Sequence, residues 1–342
     1  MRVTRESLIR VAKETAQERA FNDMTIVAAY LTGSLVSHKD PMLGGTADVD
    51  LVLVHGGPPL VARQIIKLTT DFHLDVRHRT RSEFRSPRDL RLDPFLGWEM
   101  YDPMLLYERE KFFEFVQAAL RAGSEFNAPP LILGRCRKLW AAARKGWADM
   151  GDVDAENAGP LQVWQFLRAL YDAANTVAEL TGGPLPERRL LAEFLLRAEA
   201  ADCPECIPAL FGLLGAGQVD STAVAAWIPE WKKAFLTAAQ NPKVEPRINA
   251  NRLNYYEKAF QALLASEAPL TALWPLLTTW TLSAGVLDES GRKPWSDACH
   301  QLGLLGPALA DHLAGLDSYL DDMEVRLDEI ARANGLETSD GR

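Results

Sequence analysis

Two short apolar runs near the N-terminus, Ile26 to Leu31 and Asp50 to Val54, read as strands and commit this part of the chain to a sheet. Between them the order is unusual. Gly33-Ser34 closes the first run, a turn-rich gap follows, and Asp48-Val49-Asp50 leads straight into the second. Successive side chains on a strand point to opposite faces, so Asp48 and Asp50 face the same way. Two carboxylates so close repel, and each raises the other's pKa unless a cation lies between them.

A divalent metal resolves that repulsion, and Mg²⁺ suits carboxylate oxygens because it completes its octahedron with water and substrate phosphates. Upstream, glycine at position 33 lets a phosphate approach the backbone, and free amides after Ser34 favour an anion. A triphosphate fits between these two halves. Displacement at phosphorus with two ions generally wants a third acid from a neighbouring strand. In "DFHLDVRHR", Phe72, Leu74 and Val76 form one apolar face and leave His73, Asp75 and Arg77 on the other, which makes Asp75 the candidate.

The order Gly33-Ser34, 13 intervening residues, Asp48-Val49-Asp50 and a later strand acid at Asp75 resembles the DNA polymerase β-like nucleotidyltransferase superfamily. "MLLYER", residues 104 to 109, is similar to an edge strand that often follows in such domains. The resemblance covers about the first third of the chain and implies an α+β fold with a mixed sheet flanked by helices. It also implies transfer of a nucleoside monophosphate, AMP expected, from an NTP (ATP expected) to an acceptor hydroxyl. Asp48, Asp50 and Asp75 would be the catalytic and metal-holding acids for two Mg²⁺ ions, with Gly33, Ser34 and Arg77 on the nucleotide. "DPMLGGT" stands where minimal members often carry Arg-Gly soon after Gly-Ser, so phosphate contacts here are expected to differ.

The rest of the chain has another character. Helix is expected from Thr4 to Asn22 and from Leu60 to about Asp71, with strands at Phe72 to Arg79 and Met104 to Tyr107. Past Asn127-Ala128-Pro129-Pro130 the pattern is helical almost throughout, and eight of nine tryptophans lie there. This divides the chain into residues 1–128, catalytic, and 129–342, an all-α bundle for the acceptor that resembles the layout of aminoglycoside nucleotidyltransferases. Val163, Phe166, Leu167, Leu170, Ala174 and Val177 share one helical face. A seam running from Leu309 to Ile330 in steps of four and three packs on another helix, in this chain or, as a homodimer, in a partner.

Composition narrows the function classes. A net charge of −9 disfavours general nucleic-acid binding. No apolar run approaches the roughly 18 residues of a membrane span, no signal peptide opens the chain, and four scattered cysteines do not resemble a disulfide framework; together these predict a cytoplasmic protein. Cys203-Pro204-Glu205-Cys206 lacks a second ligand pair for zinc and reads as a loop. His38 is expected at the pocket rim. Residues 77–91 hold six arginines against one Glu and one Asp, either facing phosphate or paired with acids elsewhere. The acceptor, small molecule or macromolecule, is not legible. Two other functions stay open: a toxin–antitoxin type enzyme acting on protein or tRNA, and a nucleotide-binding regulatory module without turnover.

Overall fold

The computed structural model describes residues 3–37, 40–122, 125–151 and 153–338; His38 lies outside them. The chain forms two compact units. The first runs to Ala128 and takes in Asn251–Ala259; the second comprises Pro129–Ala250 and the described residues from Phe260.

The first unit opens with α1 (Arg5–Asn22), started by a reciprocal cap in which Thr4 Oγ1 accepts from the Ser7 amide and Ser7 Oγ from the Thr4 amide. Leu8, Ala12, Ala16 and Ala20, four residues apart, are its buried stripe. Five strands follow: β1 (Ile26–Thr32), β2 (Ala47–His55), β3 (Arg63–Lys67), β4 (Phe72–Thr80) and β5 (Met104–Glu108), in the sheet order β3-β4-β2-β1-β5. The sheet is mixed: β2 and β4 run parallel, and the other neighbours pair antiparallel. The α1 stripe packs with Ala29, Leu31, Val49, Leu51, Leu53, Leu74 and Val76 on one face. On the other, Val27, Tyr30, Val52 and Val54 pack with side chains of α3 (Pro87–Arg91), α4 (Leu96–Tyr101) and α5 (Phe112–Arg121), which follow the short α2 (Ser34–Ser37). This is the α+β layout that the sequence implied.

Residues 60 to 71 depart from expectation. No helix forms there; β3 occupies the middle of the segment and hairpins onto β4. Two local features outweigh the helical spacing. Ile65-Ile66 is β-branched and stiff in favour of strand, and Thr69 Oγ1 accepts from the amides of Asp71 and Phe72, closing the turn. As an edge strand β3 is only partly buried, so it lacks the apolar alternation that marks the inner strands.

The second unit is helical: α6 (Pro129–Ala148), α7 (Pro160–Glu179), α8 (Leu190–Ala200), α9 (Cys206–Leu213), α10 (Ser221–Ala238), the end of α11 (Leu253–Leu264), α12 (Leu273–Ala284), α13 (Glu289–Gln301) and α14 (Leu309–Ala333). The face of α7 read from sequence is buried throughout. The seam of α14 lies on α6 of the same chain, where Leu133 and Cys136 meet Leu327 and Ala331. Trp140 and Trp147 donate from their indole nitrogens to the carbonyls of Leu320 and Leu313 at 2.8 and 2.9 Å. The cysteines correct another expectation. Cys203 and Cys206 are joined as a disulfide, their Cα atoms brought to 5.7 Å by the turn between them, so this pair presents no thiolates to a metal. Cys136 and Cys299 are buried free thiols.

The assignment of β3 gives a test. Leu51 is fully buried on inner strand β2, whereas Leu60, the expected helix start, is wholly exposed before β3. Leu51→Ala should lower unfolding free energy by about 2–5 kcal/mol, and Leu60→Ala by less than about 0.5 kcal/mol, both read from urea denaturation midpoints. Equal losses would contradict the placement of residues 60–71.

Candidate active site

The parallel pairing of β2 and β4 sets Asp48 opposite His73, Asp50 opposite Asp75 and Val52 opposite Arg77. Paired residues share a face, so the three acids and Arg77 emerge on one side of the sheet, beyond the apolar cover of α3, α4 and α5. One oxygen from each of Asp48, Asp50 and Asp75 lies within 4.8 Å of the others. All three sequence candidates therefore meet.

Gly33 abuts the cluster. Its φ is +72°, and a Cβ there would fall 2.0 Å from Asp50 Oδ2, so both backbone conformation and space require glycine. Next to it, Ser34 Oγ is buried with no hydrogen-bond partner. Gly33 and Asp50 are thus in direct contact, and an unspent hydroxyl follows at the next residue.

The electrostatics are strained and partly compensated. Asp50 is pushed well above the usual carboxylate range, first by burial and then by the Asp48 charge, with Asp75 adding to it and Arg77 and Arg252 opposing. For Asp75 burial acts in the same direction, but hydrogen bonds from Arg63 and the charges of Arg252, Arg63 and Arg77 outweigh it and hold the group below its ordinary value. Arg63 forks onto Asp75, Nε to Oδ1 at 2.8 Å and Nη2 to Oδ2 at 2.5 Å. Arg252 lies 3.3 Å from Asp48 Oδ2 and 3.5 Å from Asp75 Oδ2, with its guanidinium over the rings of Tyr255 and Tyr256 at 4.9 and 5.2 Å.

Residues 251–259 are fastened to the tip of the β3–β4 hairpin. Lys258 Nζ and Asn254 Nδ2 both donate to Asp71 Oδ1, at 2.7 and 3.2 Å, and Tyr255 meets His73 edge to face at 4.9 Å. Gly44 completes the fit, since a Cβ there would lie 2.3 Å from the Lys258 carbonyl oxygen.

The arginine run is mostly spent. Glu99, on α4, accepts from Tyr30 at 2.6 Å, from Arg77 Nη1 at 3.0 Å, and bidentately from Arg79 at 2.9 and 3.1 Å. Burial alone would raise Glu99, but Arg77 and Arg79 outweigh it and keep it ionised. Arg81 pairs with Glu110, and Arg91 donates to the carbonyls of Ala119, Leu120 and Ala122 at the end of α5. Arg77 Nε is buried with no hydrogen-bond partner, leaving one donor of the expected nucleotide-binding arginine unspent.

Three residues here escaped sequence reasoning. Arg63 was hidden by the misread β3. Arg252 is 204 positions from Asp48 and carries no local mark. Glu99 did carry one: it is a lone acid in the apolar "FLGWEMY", the same signal that singled out Asp75.

No protein-family model matches the chain, and no curated protein does. Among solved structures it is similar to a nucleotidyltransferase-like protein from Exiguobacterium sibiricum 255-15, at 12% identity over 93% of this chain and 91% of that one, with a TM-score of 0.32. A similarity of that size is too slight to assign a fold, so the functional reading rests on the site's own residues.

The raised pKa of Asp50 has a thermodynamic sign. The native state holds a proton that the unfolded chain releases, so stability is greatest below the unfolded pKa and is lost as pH rises through the native one. In chelator, Asp50→Asn should melt higher than wild type at neutral pH and show a flatter pH dependence. Melting scans from about pH 4 to about pH 8 check this; a variant less stable than wild type at every pH would contradict the strain at this carboxyl.

Proposed function

We propose that the protein is a nucleotidyltransferase that moves a nucleoside monophosphate, with ATP the expected donor, to an acceptor hydroxyl and releases pyrophosphate. The observation that carries this is the convergence of Asp48, Asp50 and Asp75 within 4.8 Å, against a glycine that has no room for a side chain. The donor set fits a hard divalent cation such as Mg²⁺: the ligand atoms are all carboxylate oxygens, and Asp50 is destabilised as an anion until positive charge arrives. Such an ion, when bound, supplies neutralisation of the triphosphate and alignment of its α-phosphorus.

Asp48 and Asp50 would hold that ion. Ser34 Oγ and Arg77 Nε, both buried and unspent, would donate to phosphate oxygens. The acceptor oxygen forms a bond to the α-phosphorus, the bond to the β-phosphate oxygen breaks, pyrophosphate leaves with the electron pair, and the hydroxyl proton is released to solvent. Asp75, held below the usual carboxylate range, suits orienting that hydroxyl better than abstracting its proton. The helices from residue 129 onward would contribute the acceptor's binding surface, and the acceptor's identity lies with them.

The grip of Arg63 on Asp75 favours one other reading, a nucleotide-binding module without turnover. Incubation with labelled NTPs and Mg²⁺ against panels of aminoglycosides, tRNA and protein separates the two, since only an enzyme moves label onto an acceptor. For either, Mg²⁺ and NTP together should stabilise the protein by about 2.7 kcal/mol at a hundredfold excess over Kd, and Asp48→Asn should abolish the gain. Melting curves unmoved by every Mg·NTP would sink the proposal.

A further inference from the structure

Asp75 enters the acidic cluster already committed. Both of its oxygens are taken by the fork of Arg63, and Arg252 adds a second cation at 3.5 Å. Arg252 is buried, and Arg63, although partly exposed at the sheet edge, is placed by its strand. Arg63 sits in β3 at a fixed register, with Ile65 opposite Asp75 and Arg63 opposite Arg77, so its reach to Asp75 is the diagonal of a strand pair. Arg252 is buried against two tyrosine rings and bridges Asp48 and Asp75.

Charge balance then limits what else can enter. With all three carboxylates ionised, as a bound cation requires, they contribute three negative charges and the two arginines return two, leaving one unbalanced. That residue of charge belongs with Asp50, because Arg77, the remaining cation acting on it, is shared with Glu99. One divalent ion on Asp48 and Asp50 answers it. A second would have to share Asp75 with two guanidinium groups already in contact with it, positive against positive.

We infer that Arg63 and Arg252 take the place of the second metal ion, so that the site accepts one divalent cation per nucleotide where two were expected from sequence. This deepens the nucleotidyltransferase reading and rests on it. The arginines act as positioning residues: they hold Asp75 and supply fixed positive charge that does not dissociate.

The test counts ions. The full chain is titrated with Mn²⁺ in the presence of α,β-methylene-ATP, and bound metal and nucleotide are measured together by electron paramagnetic resonance and equilibrium dialysis. Wild type should take one Mn²⁺ per nucleotide with no spin coupling between ions. Arg63→Gln should take two, with the coupling visible, and Arg252→Gln is the parallel variant if the first does not fold. Two ions in wild type with affinities within about tenfold of each other would overturn the inference and leave the nucleotidyltransferase reading intact. A folded Arg63→Gln that still takes one ion overturns it equally. Absence of both metal and nucleotide from wild type would remove the inference and the reading together.

Discussion

The register between two parallel strands governs the site. Because β2 and β4 pair with Asp50 opposite Asp75, two acids from separate stretches of sequence are held side by side by backbone hydrogen bonds, and a slip of one residue would turn one of them to the apolar face on α1. Everything else in the first unit accommodates that juxtaposition. Gly33 vacates the space Asp50 needs, Arg63 is delivered by the next strand, and Arg252 closes the group from a segment far along the chain. Buried like charges are costly, and what is unusual here is how completely two of the three are answered from within the protein.

The same economy operates a few residues away. Glu99 gathers Tyr30, Arg77 and Arg79 into one partly buried network in which each group has an oppositely charged or hydrogen-bonding neighbour. Arg77 stands between the two networks, bonded to Glu99 and acting electrostatically on Asp50. A change at Glu99 would therefore be felt in the acidic cluster without touching it.

What could be read from the sequence follows burial. Strands β1, β2 and β4 were legible because their apolar residues form runs or alternate, and the acids stood out against that background, whereas β5, an edge strand with no buried residue, was legible only from its short apolar run. The edge strand β3 buries too little to leave a pattern, and Arg63 was lost with it. The run of six arginines could be read as facing phosphate or as paired with acids, because the partners of Arg77, Arg79, Arg81 and Arg91, namely Glu83, Glu99, Glu110 and the carbonyls ending α5, are known only once the chain is folded. The disulfide between Cys203 and Cys206 was missed for the opposite reason: the turn is local, but a pair in a cysteine-poor chain gave no framework to suggest it. Arg252 illustrates the general limit, since a contact across 204 positions depends on the path of the whole intervening chain.

That long reach bears on how the molecule comes into being. During synthesis the sheet and its three acids emerge well before residue 252, and the β3–β4 hairpin tip waits as long for Lys258 and Asn254. The first unit is therefore not a contiguous module that could be cut away at residue 128. A fragment ending there would carry the acids, the glycine and Arg63 but would lack the buried guanidinium that bridges Asp48 to Asp75, and the nascent chain passes through that same incomplete state on its way to the native fold.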